Sequence, residues 1–355
     1  QETLIEPPPE ENVLFVVNVI VLPVLLVIGF INQTINFFTL QYLKSPTFIF
    51  LEASTIADLL NIFFNVFFVI DNIGVIDYSD SFVITAYYTF CSLHLMRWLD
   101  AVSGHCLIAL TIDRCLSLWR PLVFSRLVEE GRGTRILISL LIFVVSFLIQ
   151  APSALDSMLG EERRTDGTSY FEPYWNFNVM DSDWFHAFQI FRDLYQRWLP
   201  LGLIIFLNAA MSIEIFALQS KRKGTVSGSS APNHWRLSAL LLVTAASFVL
   251  CRLPSAINNL IEVLFGIGDI TPLTAISNIT LSLSYVLNFY LYALCSAEYR
   301  AALGKLFRSY FPVALARLFG VRSPKTTVSH ISNYPRPSMA SAIPTSRPRA
   351  ASSVY

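Results

Sequence analysis

Seven stretches of this chain are each long and apolar enough to cross a bilayer, and no other feature restricts its fold as strongly. They fall at residues 13–40, 48–70, 82–118, 136–155, 185–219, 235–265 and 273–295. A helix needs roughly 20 mostly apolar residues to traverse the hydrocarbon core. In lipid each such segment must also satisfy its own backbone polar groups. The third, fifth and sixth stretches are longer than a crossing requires, so they are expected to tilt or to project beyond the bilayer. Only 14% of the residues are charged and 54% are hydrophobic, whereas about a quarter of an ordinary soluble domain is charged. The sequence therefore predicts an all-α membrane protein, a seven-transmembrane helix bundle spanning 13–296. It shows no internal repeat and no long soluble domain on either side.

Short-loop basic residues set the expected orientation. Lys44 follows the first stretch, Arg120, Arg126, Arg132 and Arg135 separate the third from the fourth, and Lys221, Arg222 and Lys223 separate the fifth from the sixth. The opposite side is acidic, with Glu2, Glu6, Glu10, Glu11, Asp77, Asp80, Glu161, Glu162 and Glu172 among its residues. The N-terminal segment 1–12 is thus expected to be extracellular and the C-terminus cytoplasmic. The acidic start does not read as a cleavable signal peptide. The five cysteines, Cys91, Cys106, Cys115, Cys251 and Cys295, lie in or near apolar segments and none is spaced as a metal site. None falls between Gln150 and Pro200, so the long acidic and aromatic loop there has no partner for a disulfide. Residues 297–311 place Tyr299, Leu303, Leu306, Phe307 and Tyr310 at helical spacing among Arg300, Lys305 and Arg308. That pattern predicts a short amphipathic eighth helix on the inner leaflet, stopped by Pro312. Residues 312–355 are rich in Ser, Thr, Pro and Arg and are expected to be a disordered cytoplasmic tail.

The polar residues of the apolar stretches recur at helical spacing. Asp100, Ser103, Leu107, Leu110 and Arg114 share one face of the third stretch. Phe248, Arg252, Ser255, Asn259 and Glu262 share one of the sixth, and Asn278, Leu281, Tyr285, Asn288 and Tyr292 share one of the seventh. These faces are expected to point into the bundle, because polar groups toward lipid are costly. An ionisable residue inside a span, such as Asp58 or Arg252, is a functional candidate for the same reason. A lone buried guanidinium needs a partner, and Asp100 and Asp58 are the candidates for Arg252.

Four motifs stand in order along these segments. They are Ala57-Asp58-Leu59-Leu60, then Asp113-Arg114-Cys115, then Phe248-Val-Leu-Cys251-Arg252-Leu253-Pro254, and last Asn288-Phe-Tyr-Leu-Tyr292. Together they resemble the rhodopsin-like (class A) G protein-coupled receptors, with Arg252 where that family keeps a tryptophan. The resemblance brings the third and sixth stretches together at the depth of Asp100, which makes Asp100 the expected partner of Arg252 and Asp58 the alternative. A weaker likeness, in Asn36-Phe-Phe-Thr-Leu, Ser45-Pro-Thr and the Asn288-Phe pair, is to the invertebrate FMRFamide and myosuppressin neuropeptide receptors. The resemblance implies a plasma-membrane receptor, not an enzyme, that activates heterotrimeric G proteins. It implies a coupling switch at Asp113, Arg114, Asn288 and Tyr292, with Asp113 holding Arg114 at rest, and a transmission element at Phe248, Arg252, Pro254 and Asp100. Asp58, Ser103, Ser284 and Asn288 match positions that hold either a sodium ion or a hydrogen-bonded water cluster; no other cofactor is implied. The corresponding ligand pocket comprises Met96, Arg97, Asp100, Arg192, Gln196, Asn259, Glu262 and Asn278. Arrestin and receptor kinases would act on the tail, at hydroxyls such as Ser338 and Ser352, and no nucleic acid partner is expected.

The stretch from Leu273 to Cys295 has no lysine for a retinal Schiff base, and Met96 stands where an amine receptor carries a carboxylate. The acidic, aromatic outer loop instead suits a basic peptide with aromatic residues. A small-molecule chemosensory receptor is the alternative. A seven-span transporter is a third reading, disfavoured by the lack of repeats and of broken helices.

Overall fold

The structure is a computed structural model that describes residues 9–43, 46, 48–73, 79–119, 131–164, 169–223, 232–265 and 271–318. The expected sites at Lys44, Arg120, Arg126, Ser338 and Ser352 lie outside the described residues, as do residues 1–8 and 319–355. The side chains of Glu262 and of residues 218–223 and 232–241 are likewise undescribed.

Among the described residues, eight long helices carry the fold: α1 (Val13–Gln41), α2 (Phe48–Ile73), α3 (Phe82–Trp119), α4 (Gly131–Gln150), α5 (Asp183–Ala217, continuing to Lys223), α6 (Pro232–Phe265), α7 (Thr271–Cys295) and α8 (Ala297–Leu318). Six of the first seven are long and apolar enough to cross a membrane among the described residues, and α6 completes a seven-transmembrane bundle. It packs mainly on α7, while α3 packs on α2, α4 and α5. Lipid-facing positions follow the helical repeat, as in α4, where Leu137, Leu140, Leu141, Val144 and Leu148 are all exposed. α4 begins at Gly131, before the apolar stretch that marks it in the sequence, because its first turn is built of charged and small residues. α8 runs to Leu318, past the Pro312 expected to end it. In α8, burial pushes the Tyr299 phenol up, and its ring lies 5.8 Å from that of Tyr292.

Local widening reshapes two helices where proline intervenes. α1 contains a π turn at Val17–Val21, just before Pro23, and α5 contains one at Leu194–Trp198, just before Pro200. Proline has no N–H to donate and its ring clashes with the preceding turn, which a wider turn relieves. The consequence in α5 is a shift of helical phase, which buries Arg192, Asp193 and Gln196 on the side facing the bundle.

The segment between α4 and α5 forms a β-hairpin, a feature the loop reading did not anticipate. β1 (Ser157–Arg163) pairs antiparallel with β2 (Ser169–Trp175), with Gly160 opposite Glu172. A Cβ on Gly160 would run into the Tyr174 ring. That ring brings its hydroxyl 2.5 Å from Glu162 Oε1, and Tyr170 donates to Glu162 Oε2 at 2.8 Å. These two phenols hold the Glu162 carboxyl below the usual carboxylate range. The hairpin is tied to the bundle without covalent help. Phe171 N donates to Ser79 O at 2.7 Å, Arg164 pairs with Asp80 at 3.1 Å, and the Phe82 and Phe171 rings meet edge to face. All five cysteines are free.

Candidate functional site

Buried polar groups recur inside the bundle from the hairpin end to the end that carries Arg114. At their centre is Asp58 on α2, whose Oδ2 accepts from Gln33 Nε2 at 3.1 Å and from Asn288 Nδ2 at 3.2 Å. Gln33 also donates to Tyr285 O at 3.0 Å and so clamps α1, α2 and α7. Asn32 instead donates to Val286 O at 3.2 Å, which settles which α1 amide reaches Asp58. A cavity of about 20 Å3, room for a water molecule, lies beside Asp58. Ser103, Thr244, Arg252, Ser284 and Asn288 share its lining.

The setting of Asp58 suits water better than sodium. A hard cation wants several free oxygen ligands. Here Asp58 Oδ2 is shared by two amides, whereas Ser284, which donates to Leu281 O at 2.6 Å, and Ser103, bonded to Ser54 at 2.9 Å, keep lone pairs for a cation, so the feature that counts against sodium is charge. A guanidinium, Arg252, already lines the same cavity.

Arg252 on α6 forms an ion pair with Asp100 on α3, Nη1 meeting Oδ2. Its Cζ lies 4.6 Å from the centre of the Phe248 ring, a cation–π contact one helical turn below it. Gly104 makes that arrangement fit, since a Cβ there would come within 3.3 Å of the Phe248 ring. Pro254 lies inside α6 just beyond this contact.

Above this pair, toward the hairpin, α3 and α5 hold a cluster of charge. Asp193 Oδ1 accepts from Arg192 Nε and Nη2, both at 3.3 Å, with Arg197 at 4.0 Å, and its Oδ2 accepts from Asn259 Nδ2 at 2.5 Å. Arg192 Nη1 reaches Ser153 at 3.0 Å, and His94 lies 3.8 Å from Asp156. Gln196 donates to the Arg97 carbonyl at 2.7 Å. A groove of about 380 Å3 opens between α5 and α6, walled by Ile190, Leu194, Trp198 and Leu260, with Asp193 and Asn259 at its polar side. Of the other expected pocket residues, Asn278 donates to Asn18 at 3.1 Å, the Met96 backbone carbonyl accepts from Asn61 at 3.0 Å, and the Glu262 side chain lies outside the described residues.

The other end departs from expectation. Asp113 does not hold Arg114; its Oδ1 accepts from Arg135 Nε at 3.1 Å and Nη2 at 2.7 Å, across the α3–α4 interface. Arg135 reads in the sequence as one of several loop cations, yet it is buried on the first turns of α4 and points at α3. The Arg114 Nε is buried without a hydrogen-bond partner, with Asp113 and, more weakly, Glu298 of α8 within electrostatic reach. Tyr292 is buried nearby among Leu40, Phe50, Leu110 and Tyr299.

A seven-helix bundle with polar groups buried in its interior is a membrane-spanning architecture, and the sequence comparisons say which kind. Residues 34–297 match the 7 transmembrane receptor (rhodopsin family) profile. A Caenorhabditis elegans protein described as probable G-protein coupled receptor AH9.1 is 32% identical over 326 residues, which cover 86% of this chain and 79% of that protein. A second, probable G-protein coupled receptor B0563.6 of the same organism, is 24% identical over 304 residues, covering 79% and 67%. The chain belongs to the rhodopsin family of seven-transmembrane receptors; it is a multi-pass membrane receptor and not an enzyme.

Proposed function

We propose that this receptor sits in the plasma membrane with its hairpin end outside, binds an extracellular peptide there, and activates heterotrimeric G proteins at the Arg114 end. The observation that carries the reading is the Arg252–Asp100 pair, which ties α3 to α6 between the charge cluster and Arg114. A ligand that repositions this pair biases the separation of α3 from α6, and a two-state movement of that kind is how such bundles switch. The hairpin supports a peptide ligand, since it offers exposed Glu161, Glu162, Glu172 and Trp175 on extended backbone to a basic, aromatic partner. The neuropeptide subgroup adds to this reading the likeness of its α1 and α7 motifs. Basic residues near Arg114 favour the cytoplasmic side for that end. The cavity beside Asp58 holds water, with Arg252 as its cation. The tail beyond α8, residues 319–355, is the target of kinases and arrestin.

The test is dose-dependent nucleotide exchange on G proteins in membranes exposed to a neuropeptide library. Arg114→Ala should remove the response and leave peptide binding intact; unchanged exchange at equal expression defeats the coupling role. A small-molecule ligand is the second reading, favoured by the groove of about 380 Å3. It prevails if small molecules elicit the response and no peptide does.

A further inference from the structure

The hairpin between α4 and α5 has two edges, and they are not alike. In an antiparallel pair, residues alternate between those that turn their N–H and C=O toward the partner strand and those that turn them away. Phe171 of β2 gives its N–H to Ser79 O, off the hairpin, so the Glu161–Phe171 couple is one that turns away. Counting in twos from it puts the Leu159–Pro173 couple in the same class. The couples between them, Gly160–Glu172 and Glu162–Tyr170, hold the two strands together.

The outer edge of β2 is closed at two successive outward positions. Phe171 is spent on Ser79, and Pro173 has no N–H to offer, which is where an edge strand tolerates proline. The outer edge of β1 is open. Leu159 and Glu161 turn their backbone groups outward, and among the described residues neither has a hydrogen bond beyond the hairpin. The Glu161 side chain is exposed, and among the described residues no phenol or cation binds its carboxylate, whereas two phenols bind that of Glu162. An unpaired edge is a template for another strand.

We infer that the outer edge of β1 receives the peptide as a third strand, alternate peptide residues exchanging backbone hydrogen bonds with Leu159 and Glu161 and a basic side chain standing opposite Glu161. The inference rests on the peptide reading above and deepens it. Main-chain pairing supplies affinity and the flanking side chains supply the choice of peptide. Residues directly opposite each other share a face of the sheet, so a basic residue opposite Glu161 meets the free carboxylate. The next peptide residue turns to the other face and stands opposite Gly160. There the missing side chain lets the Tyr174 ring lie across β1, and an aromatic peptide residue stacks on it. The edge therefore selects a basic residue beside an aromatic one.

The experiment uses the full chain in lipid nanodiscs that hold one receptor or two, with G protein nucleotide exchange as the readout. The probe is the most potent of a panel of short C-terminally amidated peptides with neighbouring basic and aromatic residues, remade with each backbone N–H methylated in turn. Methylation at alternate residues, the basic one among them, should lower potency by roughly threefold to tenfold for each hydrogen bond lost, and methylation between them should change it little. Leu159→Pro removes one outward N–H and spares the bonds within the hairpin. It should lower potency where Leu159→Ala does not, and methylation of the facing residue should then cost less than on the native chain. Should Leu159→Pro fail to fold, the methylation series and Glu161→Lys decide, the latter weakening the basic peptide and favouring one with glutamate at the same place. A scan without alternation on a responding receptor overturns the third strand and leaves the peptide reading standing. A Leu159→Pro effect confined to discs with two receptors assigns the edge to a second copy and overturns it as well. Silence from the whole panel takes down the peptide reading, and the third strand with it.

Discussion

α3 carries two carboxylates, and each is neutralised by an arginine from another helix. Asp100 meets Arg252 of α6, and Asp113 meets Arg135 of α4. Both pairs are largely shielded from water, so burial does not distinguish them. Their surroundings do. Arg252 stacks on Phe248, faces a small cavity and lies two residues from Pro254, on a helix that must move if α3 and α6 are to part. Arg135 joins α3 to α4, and by claiming Asp113 it leaves Arg114 without the partner the sequence assigns to it. The same chemistry therefore has two settings: one pair ties α3 to α6 beside the Asp58 cavity, and the other ties α3 to α4 beside Arg114.

The sharpest way to break the comparison is a double-mutant cycle on the first pair. Arg252→Ala and Asp100→Ala should each cost about 3 to 5 kcal/mol, because each orphans a buried charge. The double variant should recover part of the loss, measured as thermal stability in nanodiscs. Strictly additive losses would show that the pair is not coupled. Arg135→Ala should cost less, about 2 kcal/mol, because Asp113 gains Arg114 in exchange. The same change should lower basal nucleotide exchange severalfold, and a rise would mean that Arg135 restrains the switch. Arg164→Ala at the hairpin, which loses an exposed pair with Asp80, should shift stability by at most about 1 kcal/mol. Reducing agent should not change ligand binding or the melting temperature of the native chain.

The smallest effect expected is the pH response of the hairpin. Tyr170 and Tyr174 bind the Glu162 carboxylate and lower its pKa, so their contribution is fully present above the ordinary glutamate range. It should fade as pH falls through the depressed value. The same bonds raise the pKa of both phenols, so at the alkaline end the contribution persists through the ordinary tyrosine range and fades only above it. Tyrosine fluorescence of the full chain across an acid titration checks this. Glu162→Gln should flatten the acid response.

Much of this architecture was legible because lipid is a demanding solvent. Long apolar runs mark the spans, helical spacing puts Asp100 and Arg252 on inward faces, and the family resemblance sets the two at a common depth. Three features escaped for physical reasons. The phase of α5 was hidden because its π turn breaks the 3.6-residue repeat across Leu194–Trp198, so the neighbours of Arg192 and Gln196 could not be counted off. Arg135 was mistaken for a loop cation because hydropathy places the start of a span at its first apolar residue, whereas the helix starts at Gly131. The hairpin was missed because its strands lack clear alternation, with Glu161, Glu162 and Arg163 running together.

The free cysteines have a practical consequence for watching this receptor move. Cys106, Cys115 and Cys251 are buried, while Cys91 and Cys295 are only partly covered. Cys91 lies in the first turns of α3 and Cys295 is the last residue of α7, so the native chain already offers two thiols on separate helices to a maleimide dye pair. With no cross-link to preserve, such labelling can be carried out under mild reduction, and the distance between the dyes becomes a ruler for the opening of the bundle.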